Sequence, residues 1–230
     1  MTPTAGAALL FDIDGTLADT DPLHLEAFNR AFAPYGRQFD RASFARELQG
    51  LANVDIAANI LPKLSATDGK AVLDKKEAIF RDLAATQIHA VPGLFALLDW
   101  ADAAGIAMAA VTNAPRANAE LILHGLGITQ RFKALVIGAE LAHGKPHPMP
   151  YLEGLRLLGA DASVSVAFED SRTGIASATA AGIATIGIRT SLNDAELREA
   201  GAVLSADGYD DPAVLDLIGR TVSQKAASAQ

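Results

Sequence analysis

Cysteine is absent from the 230 residues, which excludes disulfides, thiolate metal sites, iron–sulfur clusters and cysteine nucleophiles. A reducing compartment fits, and a cytoplasmic location is expected. Long apolar runs are also missing: no stretch reaches the roughly 18 residues a membrane helix needs. The opening MTPTAGAALLFDIDG has no basic residue and its apolar run stops at Asp12, so a secretory signal is not expected. Basic residues are the minority, 19 Lys and Arg against 27 Asp and Glu for a net charge of −8. That balance argues against a nucleic-acid binder, which needs a basic stripe, but not against a small anionic ligand held through a metal and one or two lysines. Aromatics are sparse and low-complexity tracts and internal repeats are absent.

Half of the residues are apolar and a fifth are charged, ordinary for a globular chain with a substantial core. Ala7–Phe11 is a short apolar run suited to a buried strand. From about residue 20 to 89 the texture is helical, with Leu23, Ala27 and Ala31 on one face, Phe28 and Phe32 beside it, and Val72, Ile79 and Leu83 inward in one long helix or two over 67–89. After Val91-Pro92-Gly93 a helix-like stretch ends at glycine four times, at Gly105, Gly159, Gly182 and Gly201, and each time a short apolar run follows. Residues 134–137 read as a further strand. Helices alternating with buried strands mark parallel α/β units. The expected architecture is therefore a Rossmann-like parallel sheet with an inserted α-helical domain: residues 1–18 and 91–220 as core, 19–90 as cap, and 221–230 as a flexible tail.

Ligands of open parallel sheets bind beyond the carboxyl ends of the strands. Polar groups gather at those ends here: Asp12-Ile13-Asp14-Gly15-Thr16, then Thr112-Asn113, then Gly144-Lys145-Pro146, then Glu169-Asp170-Ser171. Asp12 and Asp14 lie two apart, on one side if strand geometry continues. With Glu169 and Asp170 they would put four carboxylates on one rim, which calls for a positive partner. A hard divalent cation with oxygen ligands, Mg2+ above all, fits, and Lys145 supplies a second positive charge. Carboxylate, metal, lysine and hydroxyl together are equipment for phosphoryl transfer, with Asp12 as nucleophile and Asp14 as acid and base. Each piece alone also fits a plain structural role: a turn for Asp-x-Asp-Gly, a helix cap for Glu169-Asp170-Ser171, a solvated lysine, an ordinary helix entry at Thr112-Asn113. The joint pattern is more specific than its parts.

That pattern resembles the haloacid dehalogenase superfamily, in the branch that inserts a helical cap after the first motif. The motifs stand as Phe11-Asp12-Ile13-Asp14-Gly15-Thr16-Leu17-Ala18-Asp19-Thr20, Val111-Thr112-Asn113-Ala114, Gly144-Lys145-Pro146-His147-Pro148 and Phe168-Glu169-Asp170-Ser171 with Gly174 following. The resemblance implies a mobile cap and a Mg2+-dependent aspartate nucleophile. It assigns Asp12 as nucleophile and metal ligand, Asp14 as acid/base with a main-chain carbonyl on the metal, and Thr112, Asn113 and Lys145 as phosphoryl-holding groups. Asp170 becomes a metal ligand and Glu169 a ligand or its support. True dehalogenases of the superfamily lack the second carboxylate of the first motif, so Asp14 implies phosphate chemistry. Within the branch the chain is similar to phosphoglycolate phosphatases and β-phosphoglucomutases. His24 stands where mutase-like members carry a histidine, a substrate-binding candidate that equally fits a surface position. Asn53 stands where the mutases carry arginine. The expected function is hydrolysis of small phosphate monoesters by a monomeric enzyme whose partner is a small phosphorylated metabolite, with neither nucleic acid nor membrane. The rivals are a phosphomutase and a catalytically silent phosphometabolite-binding regulator.

Overall fold

The computed structural model describes residues 3–49, 51 and 53–223. Its centre is a six-stranded, wholly parallel sheet in the order β3-β2-β1-β4-β5-β6. The strands are β1 (Ala8–Phe11), β2 (Ala107–Thr112), β3 (Ala134–Ile137), β4 (Val166–Glu169), β5 (Ala184–Ile188) and β6 (Leu204–Ala206). They are short and buried on both faces, as expected where helices cover both sides. Alternation sends Leu9 and Phe11 into one core, with Phe168 stacked on Phe11 at 4.7 Å between ring centroids, and Ala8 and Leu10 into the other, with Tyr151 and Leu155. The strand order reverses beside β1, between β2 and β4. A parallel sheet opens its ligand crevice at such a point, which puts Asp12 at its floor.

The core helices are α5 (Leu94–Ala104), α6 (Arg116–Gly125), α7 (Met149–Leu158), α8 (Arg172–Ala180), α9 (Asp194–Glu199) and α10 (Pro212–Val222). All four glycines read from the sequence as helix stops have positive φ, from +62° at Gly159 to +115° at Gly201. The core runs past the expected boundary at residue 220, because Thr221 and Val222 are buried in the last turn of α10. The rest of the expected tail, residues 224–230, lies outside the described residues.

Among the described residues between β1 and α5 the α-helices are α1 (Asp21–Phe32), α2 (Arg41–Glu47), α3 (Asn53–Ile60) and α4 (Ala66–Gln87). They own a separate apolar cluster built on Phe28, Phe32, Phe39, Phe44 and Leu73. The chain enters and leaves this segment side by side, since Val91 N–H donates to the Leu17 carbonyl at 3.0 Å and Asp19 N–H to the His89 carbonyl at 3.2 Å. The face of α4 differs from the sequence reading. Val72 is buried, but Leu73, Phe80 and Ala84 turn inward where Ile79 and Leu83 are only half-buried, and Lys76 and Glu77 go inward with them. An apolar-pattern rule counts charged residues as outward. Here the two charges pair with each other at 3.0 Å, which permits their burial. Among the described residues no helix is long and apolar enough to cross a membrane.

Candidate active site

The first strand ends at Phe11 and Asp12 begins the loop, still tied to β4 because its N–H donates to the Phe168 carbonyl at 3.0 Å. The next strand over carries Glu169 at its last position and Asp170 just beyond. Asp12, Glu169 and Asp170 are all buried, and each offers an oxygen within 4.8 Å of the others. Lys145 enters from the loop before α7. Its Nζ donates to Asp12 Oδ1 at 2.5 Å, to Glu169 Oε1 at 2.6 Å and to the Val111 carbonyl at 2.7 Å. Tyr151 donates its hydroxyl to the same Glu169 oxygen at 2.7 Å.

Lys145 alone does not balance this group. Burial pushes the Asp12 carboxyl up to about 8, against the pull of Lys145. Burial also holds Asp170 well above the usual carboxylate range, with the charges of Asp21, Asp12 and Glu169 adding to it. Three crowded carboxyls with one lysine lack a cation, and a donor set made wholly of oxygens suits a hard divalent ion. The residues present therefore fit the metal that the sequence calls for.

Asp14 departs from the four-carboxylate rim. After Asp12 the chain leaves strand geometry for a tight turn with Gly15 at φ +72°, so the period-two rule stops applying. The Asp14 side chain faces the helical segment instead, accepting from Thr20 Oγ1 at 2.8 Å and from His24 Nε2 at 2.9 Å. Burial would raise its pKa, but His24, Thr20 and the more distant Lys76 outweigh burial and lower it. A fourth carboxylate does reach the rim, and the sequence reading missed it. Asp21, at the start of α1, shares two donors with Asp170: Gln49 Nε2, at 3.1 and 3.0 Å, and the Ser191 hydroxyl. Its place two residues after Asp19 in the first motif was the available signal.

His24 is not a surface histidine. Its ring stacks on Phe80 at 3.9 Å with planes 5° apart. Its Nδ1 lies 2.9 Å from Lys76 Nζ. An ammonium can only donate, so Nδ1 accepts and Nε2 carries the hydrogen given to Asp14. Thr112 is buried at the cavity wall and takes the Ala114 N–H on its oxygen at 2.9 Å. Asn113 lines the same cavity, but its side-chain amide clamps the main chain of Lys145, donating to the carbonyl and accepting from the N–H, both at 3.0 Å. Its side chain thus positions Lys145; it does not point its amide at a phosphoryl group. His143 and His147 stack on each other on the surface beside this loop.

Gly174, in the first turn of α8, makes the close packing at Glu169 possible. A Cβ there would lie 1.9 to 2.1 Å from the Glu169 carboxylate atoms, and Glu169 cannot retreat while Lys145 and Tyr151 hold it. Gly174→Ala should lower stability by about 1–3 kcal/mol through overpacking and weaken metal activation. Thermal melting together with the Mg2+ concentration for half-maximal turnover would check this; wild-type values for both would count against the packing account.

The sequence matches the model of a family described as haloacid dehalogenase-like hydrolase over residues 9–188. It is 33% identical over 203 residues to the phosphorylated carbohydrates phosphatase of Thermotoga maritima, covering 85% of this chain and 92% of that protein. It is 31% identical over 184 residues to the fructose-1-phosphate phosphatase YqaB of Escherichia coli, covering 80% and 96%. The crystal structure of CbbY from Rhodobacter sphaeroides in complex with phosphate superposes with a TM-score of 0.78 at 30% identity, over 91% of this chain and 98% of that one.

Proposed function

Because the chain belongs to the haloacid dehalogenase-like hydrolase family and is a phosphoric monoester hydrolase, we propose that it is a Mg2+-dependent phosphatase of small phosphorylated metabolites, phosphorylated carbohydrates above all, with residues 19–90 as its cap. The observation that carries this reading is the bridging of Asp12 and Glu169 by Lys145, with Asp170 beside them and Asp14 facing the cap side of the cavity.

Asp12 attacks the phosphorus, the bond to the ester oxygen breaks, and an aspartyl phosphate forms. Asp14 gives its proton to the leaving oxygen. Thr20 and His24 hold Asp14 ionised in the resting protein, so that proton is taken up as the substrate's negative charge enters beside it. In the second half-reaction ionised Asp14 removes a proton from water, which attacks phosphorus and restores Asp12. Lys145 stays by Asp12 throughout and draws on the phosphoryl oxygens, and Thr112 adds a hydroxyl from the cavity wall. Asp12, Asp170 and Glu169 would hold Mg2+, with the Asp14 main-chain carbonyl as the family resemblance implies; the ion supplies charge neutralisation for the dianionic substrate. A mutase needs a second phosphate site in the cap, ideally a bidentate arginine. Asn53 stands there, with its amide on Glu77 at 2.8 Å, which favours hydrolysis.

A panel of phosphate monoesters assayed for released phosphate tests the reading. Turnover should vanish in chelator, return with Mg2+, and return poorly with Ca2+, whose larger and looser coordination misplaces the phosphate. Full turnover in chelator would overturn the metal assignment, and no phosphate release from any monoester would overturn the function.

A further inference from the structure

The cavity wall opposite Asp12 comes from the cap, and its charges cancel internally. Lys76 and Lys145 are the lysines lining the cavity among the described residues. Lys145 is engaged with Asp12 and Glu169. Lys76 is buried and engaged with Glu77 at 3.0 Å and with His24 at 2.9 Å. Glu77 is fixed in turn by Asn53 at 2.8 Å and by Asn118 of α6 at 2.6 Å, and Asn118 is braced by Arg81 at 3.0 Å. Burial raises the Glu77 pKa, but Lys76, His24 and the two amides outweigh it and lower the pKa, so the group is ionised. Gln49 gives its NH2 group to Asp21 and Asp170, which leaves its amide oxygen, an acceptor, and Asn53 gives one of its two N–H groups to Glu77. Farther along the wall Ala114 and Pro115 offer no side-chain donor. Arg116, next in sequence, turns outward to Glu140 in a two-point pair at 2.6 and 2.8 Å.

We propose that Glu77 is a specificity-determining residue that, by neutralising Lys76 and occupying Asn53, makes the cap wall refuse a second anionic group and accept hydroxyls. The substrate class is then the monophosphate of a neutral polyhydroxy compound, as opposed to a bisphosphate or a phosphorylated carboxylic acid. A bisphosphate would bring its distal dianion to a wall of apolar side chains (Phe28, Phe44, Leu48, Leu51 and Ile56) whose polar acceptors are the Gln49 amide oxygen and the Glu77 carboxylate and whose lysine is already paired, where a further negative charge is disfavoured. A hydroxyl would donate to those same acceptors. This inference rests on the phosphatase reading above and goes past it to the part of the substrate that is not hydrolysed.

The test compares fructose 1-phosphate with fructose 1,6-bisphosphate, which share a sugar and differ by the distal phosphate, in the wild type and in Glu77→Gln with Mg2+ present. The wild type should favour the monophosphate in kcat/KM by about tenfold or more, and Glu77→Gln, which removes the carboxylate from the wall and from Lys76, should cut that preference by about tenfold, mainly through a lower KM for the bisphosphate. A merely structural role would lower both substrates together and leave the ratio in place, which would overturn the assignment. The wild-type ratio decides even if the variant does not fold: equal or better use of the bisphosphate overturns the inference while leaving the hydrolase reading intact. Absence of phosphate release from both sugars and from a generic aryl phosphate overturns both.

Discussion

Asp12→Asn should reduce turnover by at least about a thousandfold while the protein stays folded, because an amide of the same shape has neither the charge nor the lone-pair reactivity of a carboxylate nucleophile. The substitution removes one of the two carboxylates that receive Lys145 Nζ. It also relieves a crowded trio whose burial pushes Asp12 up to about 8 in the metal-free protein. The folded state should therefore keep most of its stability, and loss of activity can be assigned to chemistry. Wild-type burst and steady-state rates in a folded variant, with circular dichroism and melting unchanged, would remove Asp12 from the nucleophile role. Trapping of phosphate on the wild-type chain by rapid acid quench, absent in the variant, gives the positive counterpart.

Lys145→Met should fail differently, losing both activity and stability. Lys145 is buried, with its ammonium against Asp12, Glu169 and the Val111 carbonyl. Its pKa is held above the usual lysine value although burial acts to lower it, because both carboxylates and their hydrogen bonds act the other way. Methionine fills the space of the stem and leaves the carboxylates facing each other without the cation. Breaking a buried pair from one side costs about 3–5 kcal/mol, and loss of a preorganised cation at the phosphoryl oxygens costs about a hundredfold or more in kcat. Melting in chelator should show the full loss, and added Mg2+ should raise the melting temperature of the variant more than that of the wild type, since the ion replaces part of the missing charge. A variant that melts with the wild type in chelator and keeps its turnover would sink this account.

Much of the catalytic end of the molecule could be read before any coordinates. The helix stops at Gly105, Gly159, Gly182 and Gly201 are local events, set by the need for a residue that tolerates positive φ. The short apolar runs after them became the strands β2, β4, β5 and β6, since a run too short for a helix and bounded by turns has one stable use in an α/β chain. Asp12, Glu169 and Asp170 were legible because each sits at or just past a strand end, and parallel pairing brings such ends to one rim, while Lys145 was legible from the loop that follows β3.

The misses share a cause. Asp14 was assigned to the rim by extending strand periodicity beyond the end of β1, where the chain already enters the turn at Gly15. Nothing in the sequence marked the Asn113 amide as the clamp that holds the main chain of Lys145 from both sides. The inward face of α4 was read from Val72, Ile79 and Leu83, and Lys76 and Glu77 were not part of it. Their burial depends on His24, Asn53 and Asn118 arriving from three other elements, and no pattern within one helix reports that.

Taken alone, the sequence determined the class of fold, the position of the helical insertion and four members of the buried polar cluster at the sheet's carboxyl end, Asp12, Lys145, Glu169 and Asp170. Those features follow from local conformational limits and from hydrophobic periodicity, which act over a few residues at a time. The partner of Asp14, the buried state of His24, the fourth carboxylate at Asp21 and the neutralised cap wall around Glu77 were decided by tertiary structure. Each is a hydrogen bond or ion pair between residues far apart in the chain, worth having only because burial removes the water that would otherwise satisfy those groups.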